Sequence, residues 1–256
     1  MANKNIIAAI IQARIGSTRL PGKVLSDIEG KPLIWHIIER LKKAKKINKI
    51  ILATTERKED KKLISIAKGS AIDFYAGNEK DVLDRFYQAA KENRVNVIVR
   101  ITSDDPFKDP KIIDKFLGYF LKNKPDYLSN TIKPTYPEGL DIEIFTLKTA
   151  EKAWREAKKI SEREHVTPYI WKNPQKFKIK NLTYKKDFSN LRWTIDYPED
   201  LEFAREIYKR IYSKKKIFLM GDILKLLGKE PALEKINQGI KRNAGYLKSL
   251  REDKKI

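Results

Sequence analysis

The chain has 256 residues, no cysteine, two histidines, and a formal charge of +21 from 55 Lys and Arg against 34 Asp and Glu. This composition excludes disulfides, thiolate catalysis and cysteine-held metals, and it directs any metal toward carboxylate oxygens. The basic excess is spread through LKKAKKINK, KNPQKFKIKN, YKKD, YSKKKIF and REDKK. A solvated lysine-rich surface is therefore the simpler reading, set against a non-enzymatic nucleic-acid-binding protein, and no nucleic-acid partner is expected. No apolar run approaches the roughly 18 residues of a membrane span. The opening MANKNIIAAIIQARIG lacks the charged, apolar, small-residue order of a signal peptide, so a cytoplasmic chain without membrane contact is expected.

Apolar runs alternate with helix-period segments for most of the length. IIAAIIQA reads as the first strand, PLIWHIIERLKKA as a helix, KIILAT as a strand, and EDKKLISIAKGS as a helix closed by Gly69. A short strand AIDFYA, a helix EKDVLDRFYQAAKEN, a strand VNVIVRITSD, a helix PKIIDKFLGYFLKN opened by Pro110, and a strand DYLSN follow. The pattern predicts a doubly wound, three-layer α/β/α fold on a mostly parallel sheet. From about 131 to 147, TIKPTYPEGLDIEIFT breaks the pattern with prolines and an alternating LDIEIF, which suits an antiparallel strand or an extending arm. Helices in LKTAEKAWREAKK and SEREHVTPYIWK, strands in FKIKNLTY and LRWTID, and a helix in YPEDLEFAREIYKRIY complete a domain expected over 1–213. Helical spacing in DILKLLGKEPALEKINQGI predicts that 214–256 form a helical tail packed on it.

In open α/β sheets ligands bind beyond the carboxyl ends of strands, which singles out the loop after the first strand. Arg14, Arg19 and Lys23 supply positive charge there, Gly16 and Gly22 allow close backbone approach, and Ser17 and Thr18 add hydroxyls. Everything on offer suits an anion, although a basic surface loop turning on glycines has the same composition. The segment has neither the Gly-Lys-Ser/Thr ending of a P-loop nor GxGxxG. SDDP delivers Asp104 and Asp105 to the same sheet edge, where paired carboxylates fit a magnesium ion and equally fit a turn capping the next helix. Asp196, before PED, reads as a helix N-cap or as a further ligand. Asp141 and Glu143 fall on one face of an alternating strand, either solvated or bonded to sugar hydroxyls, and His165 sits at a helix start beside Arg163 and Glu164.

The stretch QARIGSTRLPGK resembles the N-terminal signature of sugar cytidylyltransferases, most nearly the SpsF-like branch of spore coat polysaccharide biosynthesis, related to acylneuraminate and Kdo cytidylyltransferases. The likeness continues in order through GNEKDVLDRFYQAA, RITSDDPFKDP, YPEGLDIEIF, EREHVTPYIW and RWTIDYPEDLEF, covering about residues 6 to 210. It implies a nucleotidyltransferase fold of the glycosyltransferase-A type. It also implies that Arg14, Gly16, Ser17, Arg19 and Lys23 bind the phosphates of CTP, with Ala13 near the base and Arg100 close by. Asp104 and Asp196 stand where the family places the aspartates that hold Mg2+, so that with Arg14 and Lys23 they form the expected catalytic set. Asp105 takes the variable position of that turn, and Ser103 replaces the glycine usual before it.

The expected reaction is transfer of a cytidylyl group from CTP to an acidic or phosphorylated sugar with release of pyrophosphate, for surface polysaccharide or glycan synthesis. Asp141, Glu143, Arg163, Glu164, His165 and Arg192 are expected to shape the sugar pocket, with Arg100 and Arg192 facing acceptor anions. A glycosyltransferase using a finished nucleotide sugar would share the carboxylates and metal, but it has no use for a cationic cradle around a leaving pyrophosphate. A homodimer through the Pro134 to Phe145 region is expected, by analogy with the arms of related cytidylyltransferases.

Overall fold

The computed structural model describes residues 5–240, 242 and 244–255. Its centre is a seven-stranded sheet whose first four strands in chain order are all parallel: β1 (Ile7–Gln12), then, after a two-strand hairpin of β2 (Asp27–Ile28) and β3 (Lys31–Pro32), β4 (Lys49–Thr55), β5 (Asp73–Gly77) and β6 (Val97–Thr102). Between them run the helices α1 (Leu33–Leu41), α2 (Lys61–Gly69) and α3 (Val82–Glu92). β1 is flanked by β4 and β6, so the chain winds outward through β4 and β5 and then crosses back to β6. That reversal makes the carboxyl ends of β1 and β6 the topological switch point, where open sheets bind ligands.

β1 is buried on both faces, as a central parallel strand must be, and its alternate side chains feed two layers. Ile7, Ala9 and Ile11 join one core with α1, α4 (Pro110–Asn123) and helix 198–211; Ala8 and Ile10 join the other with α3. In α1, Leu33, Ile34, Ile37, Ile38 and Leu41 are buried, the i, i+4 stripe that docks a helix on a sheet. α4 opens as the sequence predicts. Asp109 accepts from the backbone N–H groups of Lys111 and Ile112 at 2.8 and 3.3 Å, and Pro110 occupies the first turn.

Beyond β6 the sheet turns mixed. β7 (Tyr127–Ser129) and β8 (Glu143–Thr146) pair antiparallel, and β8 lies between β7 and β6, antiparallel to both. After α5 (Leu147–Glu156), α6 (Ile160–His165) and α7 (Pro168–Trp171), β9 (Ile179–Asn181) adds parallel to β7. The chain ends in α8 (Pro198–Ile211), α9 (Met220–Lys229) and α10 (Ala244–Glu252).

The 131–147 insertion supplies the antiparallel strand β8, and its Tyr136, Leu140, Ile142, Ile144 and Phe145 are buried in this chain's own cores. Three expectations are corrected. LRWTID is not a ladder strand; a single bridge joins Arg192 to Glu138, and the segment instead threads between the loops of the site. The helix read across SEREHVTPYIWK breaks at Val166, with φ of 71°, because Pro168 cannot continue it. The tail helix likewise stops before Pro231.

Candidate functional site

The first loop leaves the sheet after Ala13, where the predicted strand ends. Ala13 still donates its N–H to Ala53 O at 3.1 Å, so its backbone is committed to the strand edge. The loop then folds on itself: Ser17 and Gly22 both donate to Ile15 O, at 2.8 and 3.2 Å, and Ser17 Oγ accepts from Leu20 N at 3.3 Å. Gly22 adopts φ of 71°, the left-handed conformation glycine takes without strain. Asp60, which no sequence motif singles out, anchors the turn by accepting from Ile15 N at 2.7 Å and from the Thr55 hydroxyl. In EDKK it looks like any acidic helix start.

The cations of the loop divide. Arg14 is half-exposed and reaches Glu79 Oε1 at 3.5 Å, beside the Arg57–Glu79 pair and Gly16. Lys23, by contrast, points into the sheet edge and donates to Asp104 Oδ2 at 2.9 Å, Asp196 Oδ1 at 2.8 Å and Ile195 O at 2.7 Å. Arg19 adds a 2.5 Å contact to the same Asp196 oxygen, its guanidinium 5.5 Å from the Tyr197 ring. Burial opposes the charge on Lys23, but the two carboxylates outweigh it and raise its pKa. Burial would likewise raise Asp104; the Lys23 ammonium and the Thr102 hydroxyl hold it down to about 2 instead.

Asp104 and Asp196 come from distant parts of the chain and are joined by backbone: Ile195 N donates to Asp104 O at 2.8 Å. Asp196 is not the cap of α8. Asp200 takes that role by accepting from the N–H groups of Asp196 and Tyr197 at 2.9 and 3.0 Å, which frees the Asp196 carboxylate for the site. Arg192, expected to face a sugar anion, is instead buried outside the cavity lining and spends four of its five N–H groups on carboxylates: Nε and Nη2 grip Asp200 at 2.8 and 3.0 Å, Nη1 reaches Glu138 at 2.8 Å, and Nη2 also holds Asp196 Oδ2 at 3.1 Å. It therefore orients Asp196. Asp105 turns away from Lys23 onto Thr102 Oγ1 and Lys108 Nζ, each at 2.8 Å; burial, with Asp104 adjacent, lifts it to about 6.

Three hard oxygens within 2.7–2.9 Å of one ammonium define a cation niche. Among the described residues no cluster of three or more His, Cys, Asp or Glu is arranged for a metal. Two carboxylates suit Mg2+ none the less, because that ion keeps waters and takes phosphate oxygens to complete its shell. The donor set fits the metal.

Next to this niche opens a cavity of about 370 Å³, a size that suits a small ligand. Arg19, Arg100, Asp104, Asp105, Asp141, Glu143, His165 and Asp196 line it, together with Thr167 and Trp171. Glu143 is bound by Arg100, its register partner on β6, and accepts from Tyr127 Oη at 2.6 Å and Thr167 Oγ1 at 2.5 Å. Burial would raise Glu143, but Arg100 and these hydroxyls keep it low and ionised. Asp141 lies outside β8, pairs with Arg242 at 2.5 Å, and is raised by burial. His165 is buried enough to fall to about 4, so it is neutral at pH 7. Arg163 and Glu164 do not line the cavity. Arg163 bonds Asp81 and the Trp154 carbonyl, tying α6 to α3, and Glu164 receives the Ser249 hydroxyl. At Gly139, φ is 100° and an added Cβ would lie 2.7 Å from the Trp193 carbonyl carbon, so only glycine lets the cavity wall approach this segment.

A switch-point sheet edge that sets a folded-back cationic loop against two carboxylates, with a polar cavity beyond, has the working parts of a nucleotidyl-transferring enzyme. The sequence profile of the family described as Cytidylyltransferase matches residues 8–227. The chain is 41% identical to Uncharacterized protein MJ1063 of Methanocaldococcus jannaschii over 243 residues, covering 93% of this chain and 97% of that one. It is 30% identical to Spore coat polysaccharide biosynthesis protein SpsF of Bacillus subtilis over 234 residues, 89% and 96% of the two chains. The solved structure of a cytidylyltransferase from Leptospira borgpetersenii superposes with a TM-score of 0.88 at 35% identity, covering 93% of this chain and all of that one. The chain belongs to the cytidylyltransferase family.

Proposed function

We propose that this chain transfers the cytidylyl group of CTP to an acidic or phosphorylated sugar, releasing pyrophosphate, and that the activated sugar serves surface polysaccharide or glycan synthesis. The observation that carries the reading is the niche itself: Lys23 and Arg19 of the phosphate loop stand on Asp104 and Asp196, at the mouth of a cavity of sugar size. An oxygen of the sugar attacks the α-phosphorus in line. The bond from phosphorus to the bridging oxygen breaks, pyrophosphate leaves with its electron pair, and the acceptor's proton passes to solvent. Positioning and charge neutralisation are the protein's work.

Arg14, Arg19 and Lys23 meet the charge of the triphosphate, Gly16 and Ser17 supply close backbone, and Ala13 borders the base. Asp104 and Asp196 would hold Mg2+, which neutralises phosphate oxygens when bound. Arg100, Asp141, Glu143 and His165 surround the sugar. A nucleoside triphosphate substrate places the reaction in the cytoplasm. A homodimer through the Pro134 to Phe145 region, where Pro134, Thr135 and Asp141 keep partial exposure, belongs to the same reading.

The test is a thermal-shift panel of CTP, UTP, GTP, ATP, CDP-sugar and UDP-sugar, with and without magnesium, followed by pyrophosphate release. Ligand binding raises the melting point by mass action. A magnesium-dependent shift largest with CTP supports the reading; a shift with a nucleotide sugar alone overturns it in favour of glycosyl transfer.

A further inference from the structure

The matched family block ends at residue 227, yet the cavity does not close within it. Its remaining wall is Ala244, Gly245 and Tyr246, the first turn of α10. This helix is fastened at several points. Arg242 holds Asp141 at 2.5 Å, Ser249 Oγ donates to Glu164 and stands 3.0 Å from His165 Nε2, and Asp253 accepts from Ser161 N and Oγ at 2.9 and 2.5 Å. The Tyr246 ring meets His165 edge-on at 5.2 Å and Trp171 at 5.9 Å. Polar groups have therefore been placed on both sides of the contact between α6 and α10, where apolar packing alone would have sufficed to dock a helix.

Three buried polar atoms have no partner among the described residues: Arg100 Nε and Tyr246 Oη, whose residues line the cavity, and Arg242 Nη1, whose residue stands behind the lining residue Asp141. Two are donors only and the third can donate, so together they call for oxygen lone pairs. Leaving such groups unmet costs free energy that a bound oxyanion recovers. Each cation here has a carboxylate, Lys108 in Asp105, Arg19 in Asp196, Arg100 in Glu143 and Arg242 in Asp141, but Arg100 and Arg242 keep a buried N–H beyond that pairing, so the spare donors lie at the α10 side.

We infer that α10 is a wall of the acceptor subsite and that Tyr246 and Arg242, beside Arg100, bind the acidic group of the sugar. The assignment rests on the acceptor reading proposed above. Acceptor choice then depends in part on a segment outside the matched block of residues 8–227, so proteins sharing that block can differ in sugar through this helix.

The experiment uses the full chain, wild type beside Tyr246→Ala, Tyr246→Phe and Arg242→Gln. Pyrophosphate release is followed with CTP, magnesium and each of 3-deoxy-manno-octulosonate, N-acetylneuraminate, glucuronate and glucose 1-phosphate. With the sugar that the wild type consumes, Tyr246→Ala and Arg242→Gln should raise the sugar KM by about tenfold or more, the scale of one lost hydrogen bond to a charged group. The KM for CTP should stay within about twofold, and Tyr246→Phe should fall between wild type and alanine. A sugar KM that does not move, or a CTP KM that rises in step with it, overturns the assignment. If no sugar is consumed while CTP still shifts the wild-type melting point, the acceptor class and this assignment fall and the nucleotide site stands. If CTP gives no shift, the cytidylyl reading fails first and takes the assignment with it.

Discussion

Replacing Lys23 by methionine tests the cation niche directly. In the wild type the ammonium lies 2.9 Å from Asp104 and 2.8 Å from Asp196, with side-chain exposures of 12% for Lys23, 25% for Asp104 and 13% for Asp196. Methionine preserves the length of the stem and removes the charge, leaving Asp104 without its cation beside an Asp196 that keeps Arg19 and Arg192. Breaking a largely buried pair by deleting one partner costs about 3–5 kcal/mol, and the exposure of Asp104 places this case near about 3. For a chain of this size each kcal/mol is worth roughly 2–4 °C, so the variant should melt about 6–12 °C below wild type in the presence of a chelator. Millimolar magnesium, without nucleotide, should then restore much of the loss in Lys23→Met and change the wild type little. Mn2+ affinity, read by water-proton relaxation, should be about tenfold or more tighter in the variant. An Mn2+ affinity in Lys23→Met no better than wild type, or an equal magnesium gain in the two proteins, would refute the idea that Lys23 occupies the metal's place.

Two further changes probe the supports of the site. Arg192→Lys cannot span Asp200, Glu138 and Asp196 at once, so it should lose about 3 kcal/mol or more and lower kcat more than it raises the CTP KM; an unchanged melting point and turnover would show that the orientation of Asp196 does not depend on it. His165 is pulled down to about 4, chiefly by burial, with Glu164 opposing. Its folded pKa therefore lies below the unfolded value near 6.5, the unfolded chain takes the proton first, and wild-type stability should drop as pH falls from about 6.5 to 4. His165→Gln should lack that component, so the stability difference between variant and wild type should shift in the variant's favour by up to about 3 kcal/mol over this window. Parallel denaturant curves across it would show His165 to be unperturbed.

The fold was legible because its decisive feature is periodic. Alternation of IIAAIIQA, KIILAT and VNVIVRIT with amphipathic helices leaves little choice beyond a doubly wound sheet, and β1, β4 and β6 fall where the runs are. The carboxylates were legible by type and position but not by role. Asp196 and Asp200 are both acids at a helix start, and only the three-dimensional path shows that Asp200 caps α8 while Asp196 faces Lys23. Arg192 misled for a related reason: a sequence shows a cation near a site but not the buried acids, 54 and 8 residues away, that consume it. Tyr246 and Arg242 were out of reach altogether. They lie in a polar tail without strong periodicity, and their placement depends on contacts to Ser161, Glu164 and Asp141 about a hundred residues earlier.

The hydrogen bonds of the site also indicate why nucleotide and divalent ion should bind together. Asp104 and Asp196 each carry a negative charge that is answered within the chain, one by Lys23 and the other by Lys23, Arg19 and Arg192. Of those three cations Arg192 is locked to Asp200 and Glu138, whereas Lys23 and Arg19 belong to a loop held mainly by Asp60 and its own turn. A triphosphate competes for these two movable cations with more charge than the carboxylates can offer. Once they turn to phosphate, Asp104 is left without a cation and Asp196 keeps only Arg192, which it shares with Asp200 and Glu138, a state that favours a divalent ion. Metal alone must displace a well-placed ammonium and gains little; metal with CTP meets a niche that the substrate has already cleared. The wild type should accordingly bind Mn2+ weakly until CTP is added, and Lys23→Met should lose most of that dependence.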